Sequence, residues 1–437
     1  MKKICINKLK EYTEKEIIIE AFVDKIRDLQ YVQFVILRDL SGKVQLTIEK
    51  NEENAKLVEL VSSLTLESTI KVTAKVIENE KVKLNGIELI PSDIVITSIS
   101  SNELPFDYKN KANALIDTRL DYRFLDLRRE ENQLMFQVQS CFVNAMREFL
   151  NQNNFIEIHT PKLIKTASES GSEVFEVKYF SDKAYLAQSP QFYKQMAITS
   201  GFEKVYEVGP VFRAENSNTN RHATEFSSFD VEFSYIDSFE DVMNLEEDML
   251  IAGLTKVKEL YGERVKEVFK TEIVVPTKPF PRIKLNDLYK ELEKRYNYNI
   301  PTEDIGDMNA ETEKLTSLYA KEVYKHEFIF VTDYSATKRA FYHHRKDGIP
   351  QGYDLIWKGC EITTGAQREH QYEVLKQQAE EIGLKDDVKF YLEFFKYGCP
   401  THGGFALGID RLTMLMLNQK NVKETMFIFR GPNRIEP

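Results

Sequence analysis

The chain has 437 residues, 42% of them hydrophobic and 29% charged, with a formal net charge of −10 at pH 7. That length supports two or three domains with a sizeable core, and a pI near 5.5 excludes generic charge-driven binding to nucleic acid, though not a local basic surface that handles phosphates. No apolar run approaches a membrane span, the opening Met1-Lys2-Lys3-Ile4-Cys5 lacks the apolar stretch of a signal peptide, and Cys5, Cys141, Cys360 and Cys399 show no metal-ligand or disulfide spacing, so no membrane association and a cytoplasmic location are expected.

Residues 16–49 alternate apolar and polar positions, with Asp39-Leu40-Ser41-Gly42 as the turn between the apolar run 34–37 and the alternating run 43–48. A short helix is expected over 55–64, then strands over 68–77 and 81–90. Three strands, a helix and two strands is the order of an OB-fold barrel, expected over residues 1–100. Residues 101–116, stiffened by Pro105 within and Pro91 just upstream, read as a hinge. A second body is expected over 117–437.

In that body, residues 131–150 place Leu134, Met135, Val138, Cys141, Phe142, Met146 and Phe149 on one helical face, and an extended stretch runs from Phe155 to Pro161. The small-residue run 166–173 reads as a loop. Residues 212–235 carry the most chemistry: a polar loop between two apolar, alternating segments, which look like the arms of an antiparallel hairpin bearing Arg213, Glu215, Arg221, His222, Glu225, Phe226, Asp230 and Glu232. A phosphate site needs fixed guanidinium forks, a purine needs a flat apolar face with a polar edge contact, and an ammonium group needs a carboxylate. Any one of these charges fits a solvated edge hairpin; the set fits a binding site. Residues 240–330 are charged and mostly helical in pattern, without a readable site. Asp354 and Glu361 flank a turn at Lys358-Gly359. Near the C-terminus, the glycine-flanked apolar strand 403–408 runs into a helix over 412–417, which puts Arg411 at a helix start.

The Phe212-Arg213-Ala214-Glu215, Arg221-His222 and Glu225-Phe226 elements of the hairpin resemble the second signature motif of class II aminoacyl-tRNA synthetases, in its aspartyl branch. The helix, strand and proline of 131–161 resemble the first motif, which forms the dimer interface in that family, and Gly403 to Arg411 resembles the third. The three follow in order, and the resemblance covers essentially the whole chain, nearest to the compact archaeal-type aspartyl enzymes. It implies a multidomain α+β fold: an N-terminal OB-fold β-barrel for the anticodon, plus a catalytic domain built on an antiparallel sheet flanked by helices. It also implies a homodimer that activates L-aspartate with ATP, using Mg2+, and transfers it to tRNA(Asp).

Further roles follow from that resemblance. Gln188-Ser189-Pro190-Gln191 and Lys194 look like the amino-acid pocket, with Arg368 on a facing strand. Lys194 and Arg368 are expected to hold the side-chain carboxylate of aspartate, Gln191 and Asp230 its ammonium end, and Glu169 to sense the ammonium from a mobile loop. Arg213 is expected to bridge the α-phosphate and the attacking carboxylate, Glu215 to meet the adenine edge, Phe226 and Arg411 to sandwich the ring, and Arg221 and His222 to hold the terminal phosphate. Asp354 and Glu361 are expected to bind metal, with Glu361 also counted among the ATP ligands. In the barrel, Phe34 is expected to stack on an anticodon base, Gln45 to read a base edge and Glu88 to accept from another. Three positions depart from the family pattern: Ala340, Thr401 before His402, and Arg430-Gly431-Pro432 in the tail. The loop at Gln30-Tyr31, where related enzymes separate tRNA(Asp) from tRNA(Asn), leaves tRNA(Asn) open as a second acceptor. The rival readings are an asparaginyl-tRNA synthetase, a non-charging paralogue and a synthetase-like asparagine synthetase.

Overall fold

The computed structural model describes residues 3–110, 114–165, 174–216 and 219–437, and the chain divides into two compact units, Met1–Ala114 and Leu115–Pro437. In the first, β1 (Glu16–Asp28), β2 (Val32–Asp39), β3 (Gly42–Glu49), α1 (Ala55–Ser62), β4 (Thr69–Glu78) and β5 (Ile87–Ser98) close a barrel in the order β1-β2-β3-β5-β4. Period-two alternation explains the closure: Val35, Leu37, Val44, Leu46, Val72 and Ala74 are fully buried in one core, while Phe34, Ile36 and Gln45 face outward between them.

The fifth strand lies further along than the 81–90 read from the sequence. Residues 79–86 instead close a turn, with the Asn79 N–H donating to the Gly86 carbonyl and both Asn85 and Gly86 at positive φ. Pro91 belongs to β5, not to a linker. It faces Ala74 where the register slips, a position at which a missing N–H breaks no regular ladder. The expected hinge is also tied down at Tyr108, which is buried and donates its hydroxyl to Glu67. Glu67 accepts in turn from Arg38 at 2.5 Å, and Lys109 pairs with Asp24 at 3.0 Å.

The second unit opens with α2 (Ile116–Asp121), α3 (Arg123–Asp126) and α4 (Glu130–Gln152). Then come β6 (Ile156–Glu157), a small sheet of β7 (Leu163–Ile164), β8 (Glu176–Tyr179) and β9 (Asp182–Leu186), α5 (Gln191–Thr199), and the long hairpin β10 (Lys204–Phe212) and β11 (Glu225–Ser234). The helix α6 (Phe239–Phe269) is followed by β12 (Arg282–Lys284), α7 (Leu285–Tyr296), α8 (Ala310–Tyr319) and β13 (Phe328–Thr332). After the two-residue strands β14 (Arg345–Lys346) and β15 (Ile349–Pro350) come β16 (Gly352–Trp357), β17 (Cys360–Arg368), α9 (Tyr372–Glu381), α10 (Lys389–Glu393), β18 (His402–Gly408), α11 (Ile409–Met416) and α12 (Val422–Thr425).

The main sheet has the order β12-β13-β16-β17-β18-β11-β10-β6 and is antiparallel except at its two edges, where β12 runs parallel to β13 and β6 to β10. Thus the segment expected to be mostly helical also contributes two strands. Every residue of β13 is buried, so the alternation that marks a half-exposed strand is missing there.

Two helices cover one face of this sheet. The α4 residues Leu134, Met135, Val138, Phe142 and Met146 are buried, with Cys141 and Phe149 packed at the margin, and they meet α6, whose start is fixed by a capping box between Ser238 and Asp241. At the crossing a Cβ on Gly253 would lie 2.6 Å from the Phe142 ring, so only glycine lets the helices approach this closely. Gly262 on the same helix has only the Lys258 side chain at 3.6 Å.

The same helix carries Glu246, fully buried, whose carboxyl accepts the Tyr353 hydroxyl at 2.7 Å. Burial pushes its pKa up from 4.5 to about 8. The Tyr353 and Thr363 hydroxyls act to lower it, and burial outweighs them.

Two outcomes follow. Gly253→Ala is expected to lower stability by about 1–3 kcal/mol through overpacking, whereas Gly262→Ala raises it by up to about 1 kcal/mol through helix propensity; urea denaturation of the two variants checks the opposite signs. For Glu246 the folded chain holds the proton more tightly than the unfolded chain does, so its contribution is complete below about pH 4.5 and is lost as pH rises through 8. Glu246→Gln should therefore gain stability relative to the parent between pH 5 and pH 8. Parallel pH profiles of the two urea midpoints would show that Glu246 ionises normally.

Candidate active site

The centre of the main sheet builds a pocket of sealed charges. Asp230 and Glu232, two residues apart on β11, point to the same face, and their neighbours across β18 are Ala406 and Gly404. A Cβ on Gly404 would stand 2.1 Å from the Val231 carbonyl oxygen and 2.4 Å from a Glu232 oxygen, so the glycine makes room for both the strand and that carboxylate. Lys194, in the first turn of α5 and fully buried, reaches Asp230 at 3.0 Å and Glu232 at 3.4 Å. Arg368, the last residue of β17, donates to Glu232 at 3.0 Å, to the Gly404 carbonyl at 3.0 Å and to the Gln191 side-chain oxygen at 3.4 Å. Burial acts to raise the Glu232 pKa, but the cations Arg368 and Lys194 outweigh it and hold the group below its ordinary value. His343, within 3.4 Å of Arg368, is driven well below its ordinary value by burial and then by that cation, so it is neutral.

Beside this pocket lie the hairpin loop and the α11 start. The Arg213 side chain is exposed, lies 5.3 Å from the Phe226 ring centroid and has no carboxylate partner among the described residues. Arg411, in the first turn of α11, donates to the Glu361 carbonyl at 2.8 Å and to the Arg221 carbonyl at 3.5 Å. Arg221 pairs with Glu313 of α8 at 2.6 Å, and the same Glu313 oxygen accepts the Glu361 N–H at 3.0 Å. His222 is lowered by burial first and then by the cations Arg411, Arg221 and Arg213. Asp410, next to Arg411, ties three parts together: it accepts from Ser227 N–H on β11 at 3.2 Å and from Gln139 of α4 at 3.3 Å.

Asp354 and Glu361 sit on a tight hairpin whose two loop residues, Lys358 and Gly359, both have positive φ, as a type I′ turn requires. The Thr364 hydroxyl lies 2.9 Å from Asp354 and 3.1 Å from Glu361. One hydroxyl has one proton to give, so the two acids cannot both be ionised acceptors of it. Accordingly burial, and then the Asp354 charge, raises Glu361 to about 7. Arg339 grips Asp354 with two bonds, at 2.8 and 2.6 Å. Among the described residues no three His, Cys, Asp or Glu side chains cluster as a ready-made metal cage. Two carboxylates completed by substrate phosphates, which is how Mg2+ is commonly held, fit what is present.

Of the expected site residues, Gln191, Lys194, Asp230 and Arg368 lie together, and Arg221, Glu361 and Arg411 form a second group linked by hydrogen bonds. Arg213 and Phe226 are adjacent, and Glu215 lies in the same loop, partly exposed. Glu169 and the rest of 166–173 lie outside the described residues. In the barrel, Phe34, Gln45 and Glu88 share the outer surface. Gln45 donates to Thr47 at 3.2 Å, Thr47 donates to Glu88 at 2.5 Å, and Asn79 donates to the other Glu88 oxygen at 2.7 Å.

Sequence reasoning gave no role to Glu232, Glu313, Arg339 or Thr364. For Glu232 a signal existed, since it shares a strand face with Asp230. Arg339 stands at the head of the departing Arg339-Ala340-Phe341-Tyr342 run. Glu313, ninety-two residues from Arg221, left none.

A mainly antiparallel sheet with an arginine hairpin on one strand pair and a strand-to-helix arginine on the next is the core of a class II aminoacyl-tRNA synthetase. Residues 115–429 match the model of class II tRNA synthetases (D, K and N), and residues 17–97 match the OB-fold nucleic acid binding domain. The chain belongs to this D, K and N family of class II tRNA synthetases. Similar proteins include an aspartate–tRNA(Asp/Asn) ligase of Methanopyrus kandleri, 43% identical over 97% of this chain and 96% of that one. An aspartate–tRNA(Asp) ligase of Pyrococcus furiosus is 39% identical over 98% and 97%. Among solved structures, asparaginyl-tRNA synthetase from Pyrococcus horikoshii with asparaginyl-adenylate gives a TM-score of 0.92 at 28% identity, covering 100% of both chains. Aspartyl tRNA synthetase from Entamoeba histolytica gives 0.86 at 31% identity, over 100% of this chain and 93% of that one.

Proposed function

We propose that the chain is an aspartate–tRNA ligase that activates L-aspartate with ATP and charges tRNA(Asp), acting as a homodimer in the cytoplasm. The observation that carries this reading is the pair Lys194 and Arg368, both sealed from water and both offering donors only. A side-chain carboxylate can accept from both. The amide nitrogen of asparagine would meet these two cations donor to donor, and such a mismatch at buried groups is the kind of penalty by which sites reject an analogue by about 10⁴ or more. Full-length likeness to aspartate ligases supports the same choice.

In the first step the aspartate α-carboxylate attacks the α-phosphorus of ATP in line, an oxygen–phosphorus bond forms, and the bond to pyrophosphate breaks. The nucleophile is already ionised, so no general base is needed, and catalysis is positioning and charge neutralisation. Asp230 and Gln191 take the ammonium. Arg213, exposed and without a carboxylate partner among the described residues, bridges the α-phosphate and the attacking carboxylate. Glu215 meets the adenine edge, with Phe226 and Arg411 on the two faces of the ring. Arg221, with neutral His222 beside it, leaves Glu313 to take the terminal phosphate. Asp354 and Glu361 would hold Mg2+, which when bound would neutralise phosphate charge. In the second step the 3′-hydroxyl of the tRNA attacks the activated carbonyl and AMP leaves. Phe34, Gln45 and Glu88 present an aromatic face and polar edges to the anticodon, and the role of sensing the ammonium is assigned to Glu169.

The likeness to asparaginyl-tRNA synthetase with its adenylate favours one rival reading. Pyrophosphate exchange separates the two: exchange should depend on aspartate, on ATP and on Mg2+, stop with a chelator, and show no asparagine dependence. Arg213→Ala is expected to lower the exchange rate by about 10²–10³-fold. Asparagine-driven exchange, or an unchanged Arg213→Ala rate, overturns the assignment. Charging of tRNA(Asp) and tRNA(Asn) transcripts decides whether the acceptor range resembles that of the Methanopyrus or the Pyrococcus ligase.

A further inference from the structure

Behind the amino-acid pocket runs a chain of hydrogen bonds whose direction is fixed from one end. His402, the first residue of β18, is fully buried, and its Nδ1 lies 2.9 Å from the Pro400 carbonyl. A carbonyl only accepts, so Nδ1 carries the ring proton. Burial holds His402 at about 4, so near neutral pH its Nε2 has no hydrogen and can only accept. Gln195 approaches that Nε2 at 2.9 Å and must present its NH2 group. The Gln195 oxygen therefore faces the other way, where it accepts from the Tyr391 hydroxyl at 2.9 Å and from the Gln191 NH2 at 3.0 Å. Only one end of Gln191 remains for the pocket, and it is the carbonyl oxygen, which lies 3.4 Å from Arg368. Glu232, at 3.5 Å from the Gln191 NH2, favours the same orientation, but it and Arg368 sit at the long limit of hydrogen bonding, and the bond to Gln195 is the short one.

We propose that His402 is a positioning residue for amino-acid recognition, which through Gln195 locks the Gln191 amide with its acceptor facing the substrate. The inference rests on the reading above in which Gln191 receives the ammonium of aspartate. An ammonium has three donors and no acceptor, so a flipped Gln191 would meet it with N–H groups and repel it. A side chain two steps from the ligand thereby decides whether the pocket offers an acceptor or a donor.

The test is aspartate- and ATP-dependent pyrophosphate exchange with the full chain. His402→Leu removes the acceptor at Nε2; the expected result is an aspartate KM raised about 10-fold or more, with the ATP KM unchanged. His402→Gln, which can again offer an oxygen to Gln195, should restore most of the loss. Because Gln191 is the element through which His402 acts, the double variant His402→Leu with Gln191→Leu should be no worse than Gln191→Leu alone. Additive losses, or equal damage to the aspartate and ATP KM values, would mean that His402 merely supports the fold and would overturn the proposal. Should His402→Leu fail to fold, Gln195→Met cuts the same chain and must give the same selective aspartate defect. If Gln191→Leu itself leaves the aspartate KM unchanged, the ammonium reading fails; if Gln191→Leu weakens aspartate and His402→Leu does not, only the positioning role fails.

Discussion

Glu232 stands between Lys194 and Arg368, at 3.4 and 3.0 Å, with all three withdrawn from water. With Asp230 on Lys194 the four charges cancel. Charges buried at such cost are retained only when each has a partner, and removing one member of such a set costs about 3–5 kcal/mol. The strand pairing, the missing side chain at Gly404 and the first turn of α5 all serve to bring these four groups together. An incoming ligand must preserve the balance, which a zwitterion with an extra carboxylate does only if its third charge is met outside the pocket. On the proposed reading, that is the α-carboxylate turned toward the nucleotide.

A second constraint is mechanical. Asp410 joins α4, β11 and the start of α11 through its own hydrogen bonds, and burial raises its carboxyl to about 6. The guanidinium next to it, Arg411, is held by two backbone carbonyls, one of them from the residue that pairs with Glu313. The helix, the hairpin and the glycine-rich strand that were recognisable as separate stretches of sequence thus share a single junction. Movement of any one of them would displace Arg221 and Arg411, which on the proposed reading face the nucleotide.

The elements legible in the sequence are those with one wet and one dry face. The barrel strands β1 to β4 and the face of α4 were readable because alternation, or a 3.6-residue stripe, survives there. β13 lost its signature through burial on both sides, and β5 was displaced because Val82 and Leu84 mimic a strand in what is a turn. In the site, side chains that the structure brings together, such as Lys194, Asp230 and Arg368, had been named from their motifs. Their partners were not: Glu313, Arg339, Gln195 and His402 matter through contacts that close only when distant segments meet. Hydrogen-bond direction, as in the Gln191 to His402 chain, is a property of the assembled network and of no single residue.

The barrel and the synthetase unit each bury their own apolar cluster, one built from residues such as Val35, Leu46 and Val72, the other from Phe142, Phe229 and Phe405. Each unit therefore rests on an apolar core of its own. On the proposed reading, the barrel surface reads the transfer RNA from a core that shares no residue with the one under the adenylation site.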